Sequence, residues 1–366
     1  MPGRIVLFGA TGYTGRLTAE SLVERGAKPV LAARDASKLE KLAGDLGGGL
    51  ETATADVSRP ETVRDLVEKG DVLVTTVGPF SRFGAPAIEA AIGAGAHYID
   101  STGESGFIRR VFEHWGPLAE ASGSGLVTAF GYDCVPGNLA GALALEESGE
   151  PAVKVACGYF VLGGGFAASG GTRASAAGVV LDSAFAYRGG RLVSERTAKR
   201  VRNFDVRGKQ RPAVSIAMSE HLGLPQSYPR LRDVETYVGW FGNLSRPVQV
   251  QSAVTSTALR LPLARRSAEA VINRFVKGST GGPDAEERAQ TGSYVVAVAS
   301  DAADRPLVEV RMEGPNGYTY TGDILAWGAI RAAERGLDGK GALGPVGAFG
   351  LAELEAGNAE VGFRRA

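Results

Sequence analysis

Glycines 9, 12 and 15 in Arg4-Ile5-Val6-Leu7-Phe8-Gly9-Ala10-Thr11-Gly12-Tyr13-Thr14-Gly15 are spaced for one kind of chemistry. An apolar run ends at Phe8, the chain turns on glycine, and helix-forming residues follow from Tyr13. A turn of this kind lets a pyrophosphate approach the main chain, because no Cβ stands in its way. The helix behind it aims unpaired N–H groups and the positive end of its dipole at the same phosphate. Three glycines alone say little in a chain that holds 52 of them. The strand before and the helix after turn them into a dinucleotide site made of Gly9, Thr11, Gly12, Tyr13, Thr14 and Gly15.

The next strand, Pro29-Val30-Leu31-Ala32-Ala33, ends at Arg34. A site for NAD usually places a carboxylate there to bind the ribose 2′-OH, and that carboxylate would repel a 2′-phosphate. Arg34 offers a planar fork of donors instead, with Ser37 and Lys38 one helical turn further on, so the expected cofactor is NADP(H). Asp35 could still face a ribose hydroxyl. Asp56, at the end of a Glu51–Ala55 strand, either borders the adenine or belongs to a helix entry in which Ser58 and Glu61 form a capping box around Pro60. Gly78, Pro79 and Phe80 leave the Asp71–Val77 strand where the nicotinamide ribose is expected.

Hydride transfer also needs a proton. Tyr98, Asp100, Glu104, Tyr132 and Asp133 are the candidates, all expected on the cofactor edge of the sheet. Each could instead cap a helix or fix a loop, and Asp133, just before Pro136, is a credible helix N-terminal residue. An acid working near neutral pH must be held protonated by burial or by a neighbouring carboxylate. Cys134 has no histidine near it in sequence and reads as a buried thiol. His97, His114 and His221 show no metal-ligand spacing, so no metal site is expected. No tyrosine stands four residues before a lysine, which argues against the short-chain dehydrogenase mechanism.

The elements that must hold these residues alternate strand with helix through Phe130, which implies an α/β fold with a doubly wound parallel Rossmann sheet. Residues 1–136 form the expected dinucleotide-binding domain, and residues 137–320 a mixed α+β substrate domain. Residues 321–366 are expected to be a C-terminal helix and tail returning to the first domain. Tyr294–Ala299 and Leu307–Met312 read as an antiparallel pair joined through Ala303–Pro306, and Tyr318–Gly336 as a final amphipathic helix. Ser169–Thr172, ahead of a small-residue run, could hold a substrate oxygen on helix N–H groups or be a plain cap.

From Arg188 to Arg211 basic residues far outnumber acidic ones, which could dock an anionic partner or form a solvated face, the second being favoured. Arg260 to Lys277 alternates cations with apolar residues, as a helix over the active-site mouth or a membrane-surface helix would. The net charge of +0 gives no global case for nucleic acid. Two cysteines, a strand beginning near residue 4 and the lack of a bilayer-length apolar run point to a cytoplasmic protein.

The glycine turn, Tyr98-Ile99-Asp100-Ser101-Thr102-Gly103-Glu104 and Gly131-Tyr132-Asp133-Cys134-Val135-Pro136 together resemble saccharopine dehydrogenase-like oxidoreductases. The second half is similar to their trans-acting enoyl reductase branch, through Ser169-Gly170-Gly171-Thr172, Gly282-Pro283-Asp284-Ala285-Glu286-Glu287-Arg288 and Gly314-Pro315-Asn316-Gly317-Tyr318. The tail Gly341–Gly350 resembles the family's closing segment in reduced form. The resemblance implies an NADPH-dependent reductase acting on an enoyl group of a lipid or polyketide chain, carrier-bound or linked to coenzyme A. An acyl carrier protein or membrane surface as partner, and a homodimer, are compatible with it. Its enzyme rival is a dehydrogenase of an amino-acid C–N bond, and its non-enzyme rival a regulator that senses NADP.

Overall fold

The computed structural model describes residues 3–163, 184–258 and 281–366. Six strands open the chain: β1 (Ile5–Phe8), β2 (Val30–Ala33), β3 (Thr52–Thr54), β4 (Val72–Thr75), β5 (His97–Asp100) and β6 (Gly125–Val127). They lie in the order β3-β2-β1-β4-β5-β6, every neighbouring pair parallel. β1, β2 and β4 are buried along their whole length, because helices cover both faces of the sheet and leave no side for polar residues. The chain runs outward from β1 through β2 to β3, then returns to place β4 on the other side of β1. That reversal makes the crevice at the carboxyl ends of β1 and β4 a topological switch point, the place where open α/β sheets hold ligands.

β6 stops at Val127, short of the expected Phe130. The Asp100 carboxylate accepts hydrogen bonds from the Thr128 hydroxyl at 2.8 Å and the Ala129 N–H at 2.9 Å. These bonds pull the chain out of the ladder, and Ala129 takes a positive φ of 59°.

The buried helix Val135–Ser148 leads into a second sheet. Its strands are β7 (Lys154–Gly163), β8 (Phe185–Arg188), β9 (Arg191–Ser194), β10 (Val201–Val206), β11 (Lys209–Ser215), β12 (Asp233–Val238), β13 (Thr291–Ser300) and β14 (Pro306–Gly314). The sheet runs β10-β11-β12-β7-β13-β14, with β8 on β12 and β9 on β8. It is mixed: β12 and β7 are parallel, and the other pairs are antiparallel. The expected β13–β14 hairpin is present, and the α/β architecture with a mixed second sheet is the one the sequence implies.

Helix Gly317–Arg335 lies against the helix Tyr13–Glu24 behind the glycine turn; a Cβ on Gly322 would meet that of Leu17 at 2.9 Å. It is not the last helix, since Pro345–Phe349 and Leu351–Glu360 follow. The tail adds a strand to each sheet: β15 (Gly341–Ala342) beside β6 and β16 (Arg364–Arg365) beside β14. Ser169–Thr172 and Arg260–Lys277 lie outside the described residues.

Candidate functional site

The glycine turn sits at the carboxyl end of β1. Gly9, at φ +91°, donates its N–H to the Ala32 carbonyl at 2.8 Å, and its own carbonyl accepts from Gly12 at 2.9 Å. A Cβ on Gly15 would drive into that Gly9 carbonyl, so the helix can start this close to the strand only with glycine there. Gly12 caps the helix without any side-chain hydrogen bond, and the first intrahelical bond runs from Arg16 to Gly12. The N–H groups of Tyr13, Thr14 and Gly15 therefore have no acceptor inside the helix. An anion fits this cradle: donors converge, side chains stay away, and the helix dipole has the right sign.

Past β2 the exposed Arg34 makes no hydrogen bond or ion pair among the described residues. Its neighbour Asp35 is committed elsewhere, as N-cap of helix Ala36–Asp45, taking the Lys38 N–H at 3.1 Å with the Lys38 ammonium 3.6 Å away. That engages the neighbouring carboxylate and bends Lys38 back, leaving Arg34 exposed with Ser37 beside it. Asp56 stands near Arg34 across the ends of β2 and β3. The Ser58 N–H and hydroxyl, both at 2.8 Å, hold its carboxyl below the ordinary range, helped by Arg59 and Arg34. The expected Ser58–Glu61 capping box does not form: Ser58 is engaged by Asp56, and helix Pro60–Arg64 starts without a side-chain cap.

At the carboxyl end of β4, Gly78 is exposed and Pro79 half-buried. Phe80 turns inward onto Phe107, with ring centroids 5.6 Å apart, so only its backbone borders the crevice. The buried Glu104 fixes this turn by accepting the N–H groups of Phe80 at 2.7 Å and Ser81 at 2.9 Å. Both of its carboxylate oxygens are thus engaged by backbone N–H groups.

Three other proton-donor candidates are also committed to structure. Tyr98 is fully buried, its ring in the apolar core and its hydroxyl facing the Asp100 carboxyl. Asp100 takes the Thr102 N–H at 2.8 Å besides its bonds to Thr128 and Ala129, so it locks the loops after β5 and β6; burial pushes its carboxyl up to about 6. Tyr132 is buried with its hydroxyl on the Phe160 carbonyl at 3.1 Å, and burial pushes its phenol up.

Asp133 differs from all of them. It is half-buried, makes no hydrogen bond or ion pair among the described residues, and does not cap the following helix, whose N-cap is Cys134. Its Oδ2 lies over Gly103, where a Cβ would come within 3.1 Å. Burial pushes its carboxyl up to about 6, within reach of a neutral-pH proton donor. Cys134 is buried and burial pushes its thiol well up, as expected of a structural cysteine.

One ionisable pair escaped the sequence reading. Glu220, fully buried, accepts the Tyr159 hydroxyl at 2.5 Å, and that hydroxyl accepts the Gly137 N–H at 2.9 Å. Nothing in the local sequence announces it, because the partners are 61 positions apart. Most of the basic Arg188–Arg211 stretch is engaged internally. Arg188 and Arg202 face Glu235, Lys199 and Arg200 face Glu195, and Arg207 pairs with Glu313. No cluster of three metal-ligating side chains occurs among the described residues, and no described helix is long and apolar enough to cross a membrane.

Residues 5–116 match the family model of the saccharopine dehydrogenase NADP binding domain, which makes NADP(H) the cofactor of this part of the chain. A Mycobacterium tuberculosis protein provisionally named trans-acting enoyl reductase is 39% identical over 180 residues, covering 47% of this chain and 42% of that protein. The trans-acting enoyl reductase of Mycobacterium ulcerans is 38% identical over 141 residues, covering 37% of this chain and 34% of the relative. The matched stretch thus spans less than half of either relative. Apo saccharopine dehydrogenase (L-Glu forming) from Saccharomyces cerevisiae shares the fold over 100% of this chain and 99% of its own, at a TM-score of 0.60 and 12% identity.

Proposed function

We propose that this protein is an NADPH-dependent oxidoreductase that delivers hydride to an activated double bond of a lipid or polyketide acyl intermediate. The observation that carries the cofactor half is Arg34, an exposed cation that makes no ion pair among the described residues, beside an Asp35 withdrawn into a helix cap. The name shared by the relatives supports the enoyl half.

When bound, NADPH supplies the hydride. The chain's share is to hold and to protonate. The N–H groups of Tyr13 to Gly15 take the pyrophosphate, Arg34 the 2′-phosphate, and the Gly78–Pro79 turn, pinned by Glu104, borders the nicotinamide ribose. Asp133, with its carboxyl pushed up to about 6, is protonated more readily than an ordinary carboxyl and gives that proton to the carbon that gains electron density. Delivery of the acyl chain by an acyl carrier protein belongs to the same reading. Docking through Arg188–Arg211 would fall to Arg191 and Lys209, whose side chains make neither an ion pair nor a hydrogen bond among the described residues.

The test is nucleotide titration followed by turnover. Wild-type protein should bind NADPH well above NADH, and Arg34→Asp should weaken NADPH by roughly 10- to 100-fold while sparing NADH. NADPH should then be oxidised by enoyl thioesters of coenzyme A or carrier protein. Oxidation by imine-forming amino-acid substrates alone would favour C–N chemistry. Tight binding without turnover on enoyl, imine and carbonyl compounds would favour a sensor.

A further inference from the structure

Three stretches far apart in the chain meet at one side chain of the glycine turn. Gly282 lies on the ring of Tyr13, where a Cβ would stand 2.6 Å from the ring, so only glycine lets the backbone come so close. The Tyr13 hydroxyl donates to the Pro283 carbonyl. Tyr318, at the start of the Gly317–Arg335 helix, sets its ring edge-on to Tyr13 at 5.3 Å. Asp284 and Glu287 close a reciprocal capping box that starts the helix Ala285–Ala289. That short helix carries Arg288 back to the turn.

Arg288 donates through Nε to the Thr319 hydroxyl at 3.2 Å, and through one terminal nitrogen to the Tyr13 hydroxyl at 3.1 Å and the Pro283 carbonyl at 3.0 Å. Every acceptor is neutral. Among the described residues no carboxylate lies within ion-pair distance of it. Glu287, on its own helix, is turned to the Asp284 N–H at 2.9 Å, and Asp323 feels Arg288 only at longer range. A half-buried guanidinium that pairs with no carboxylate among the described residues thus touches the hydroxyl of Tyr13, the first residue of a helix whose first N–H groups have no acceptor inside it. Like polarities gathered at one place raise the energy of the fold unless an anion joins them.

We propose that Arg288, held in place by Tyr13 and Thr319, is a ligand of the cofactor's pyrophosphate, so that the Gly282–Arg288 strap of the second domain completes the nucleotide site of the first. The inference rests on the NADPH reading above. It unites three motifs in a single role, in which the glycine turn offers Tyr13, Gly282–Arg288 offers the cation, and Gly317–Thr319 orients it. It also makes cofactor binding fasten the two domains to each other.

Adenosine 2′-monophosphate, which reaches Arg34 but has no pyrophosphate, separates this role from a structural one. Arg288→Met should raise the Kd for NADPH by about 10- to 100-fold and leave that for adenosine 2′-monophosphate unchanged. Arg288→Lys should restore part of the loss, and Tyr13→Phe, which keeps the ring but frees the guanidinium, should lose less than Arg288→Met. Equal NADPH affinity in Arg288→Met and wild type would overturn the proposal. So would an equal loss of both nucleotides, which would mark Arg288 as a merely structural tie. Failure of wild-type protein to take up NADPH would strike the functional reading itself.

Discussion

The turn after β1 and the loops after β5 and β6 lie on the same carboxyl edge of the same sheet, yet their polar groups are in opposite states. At the first, the N–H groups of Tyr13, Thr14 and Gly15 have no acceptor in the helix, and Arg34 and Arg288 make no ion pair among the described residues, Arg288 donating to neutral acceptors alone. At the second, Asp100 accepts three hydrogen bonds, Glu104 two from backbone N–H groups, and Tyr132 gives its hydroxyl to a carbonyl. Polarity at a crevice is therefore a poor guide to chemistry; what matters is whether the group's hydrogen-bonding capacity or its charge is already matched. Buried groups with complete hydrogen bonding shape the crevice, and the open ones are those left to a ligand. Asp133 is the exception on the second loop, open among satisfied neighbours.

The sharpest way to break this contrast is to close the open edge. Gly15→Val pushes a side chain into the Gly9 carbonyl and should abolish NADPH binding in calorimetry. Retained affinity would mean that the nucleotide does not sit on this turn. A second experiment sets the two kinds of acid against each other. Asp133→Asn should cut kcat by about 100-fold at unchanged NADPH affinity and shift the denaturation midpoint very little. As a proton donor raised to about 6, Asp133 also predicts a kcat that falls as pH climbs through that value, a limb the Asn variant should lack. Asp100→Asn should do the reverse, costing about 2–4 kcal/mol of stability because Asn offers one acceptor oxygen where three donors converge. If both variants lost activity and stability alike, the division between open and committed acids would fail.

The open edge was legible in the sequence because backbone builds it. A strand, three glycines and a helix define where N–H groups point whatever the rest of the chain does, and Arg34 is read directly from the end of β2. The committed edge was not legible, since its character depends on who pairs with whom. Asp100 and Thr128 are 28 positions apart, and their bond both commits the Asp100 carboxylate to the loop and ends β6 early. Glu104 looked catalytic until the Phe80 and Ser81 N–H groups came to it, and the same tertiary bonding undid the Ser58–Glu61 box. Arg288 sits 275 positions from Tyr13, so only folding reveals that the two touch. The motif holding it was visible, but its purpose was not.

Glu220 tests the smallest effect and the limit of the rule. One carboxyl oxygen accepts the Tyr159 hydroxyl, while Oε2 is buried with no hydrogen-bond partner among the described residues. Burial raises its carboxyl from 4.5 to about 8. The unfolded chain gives up this proton near the ordinary value, and the folded chain holds it until about 8. Across that window the folded state therefore carries the extra proton, and stability must fall as pH rises. Glu220→Gln keeps the shape and the acceptor for Tyr159 but cannot ionise. Urea midpoints of variant and wild type should lie close together at pH ~5 and diverge toward pH ~8, where the variant should be more stable by about 3–4 kcal/mol. Asp100 and Asp133 titrate in the same direction, but they are present in both proteins and drop out of the difference to the extent that they do not couple to Glu220. A gap that stays constant with pH would show Glu220 ionised in the folded chain. The orphaned oxygen would then be a charge awaiting a partner, and the interior would hold an open group like those at the glycine turn.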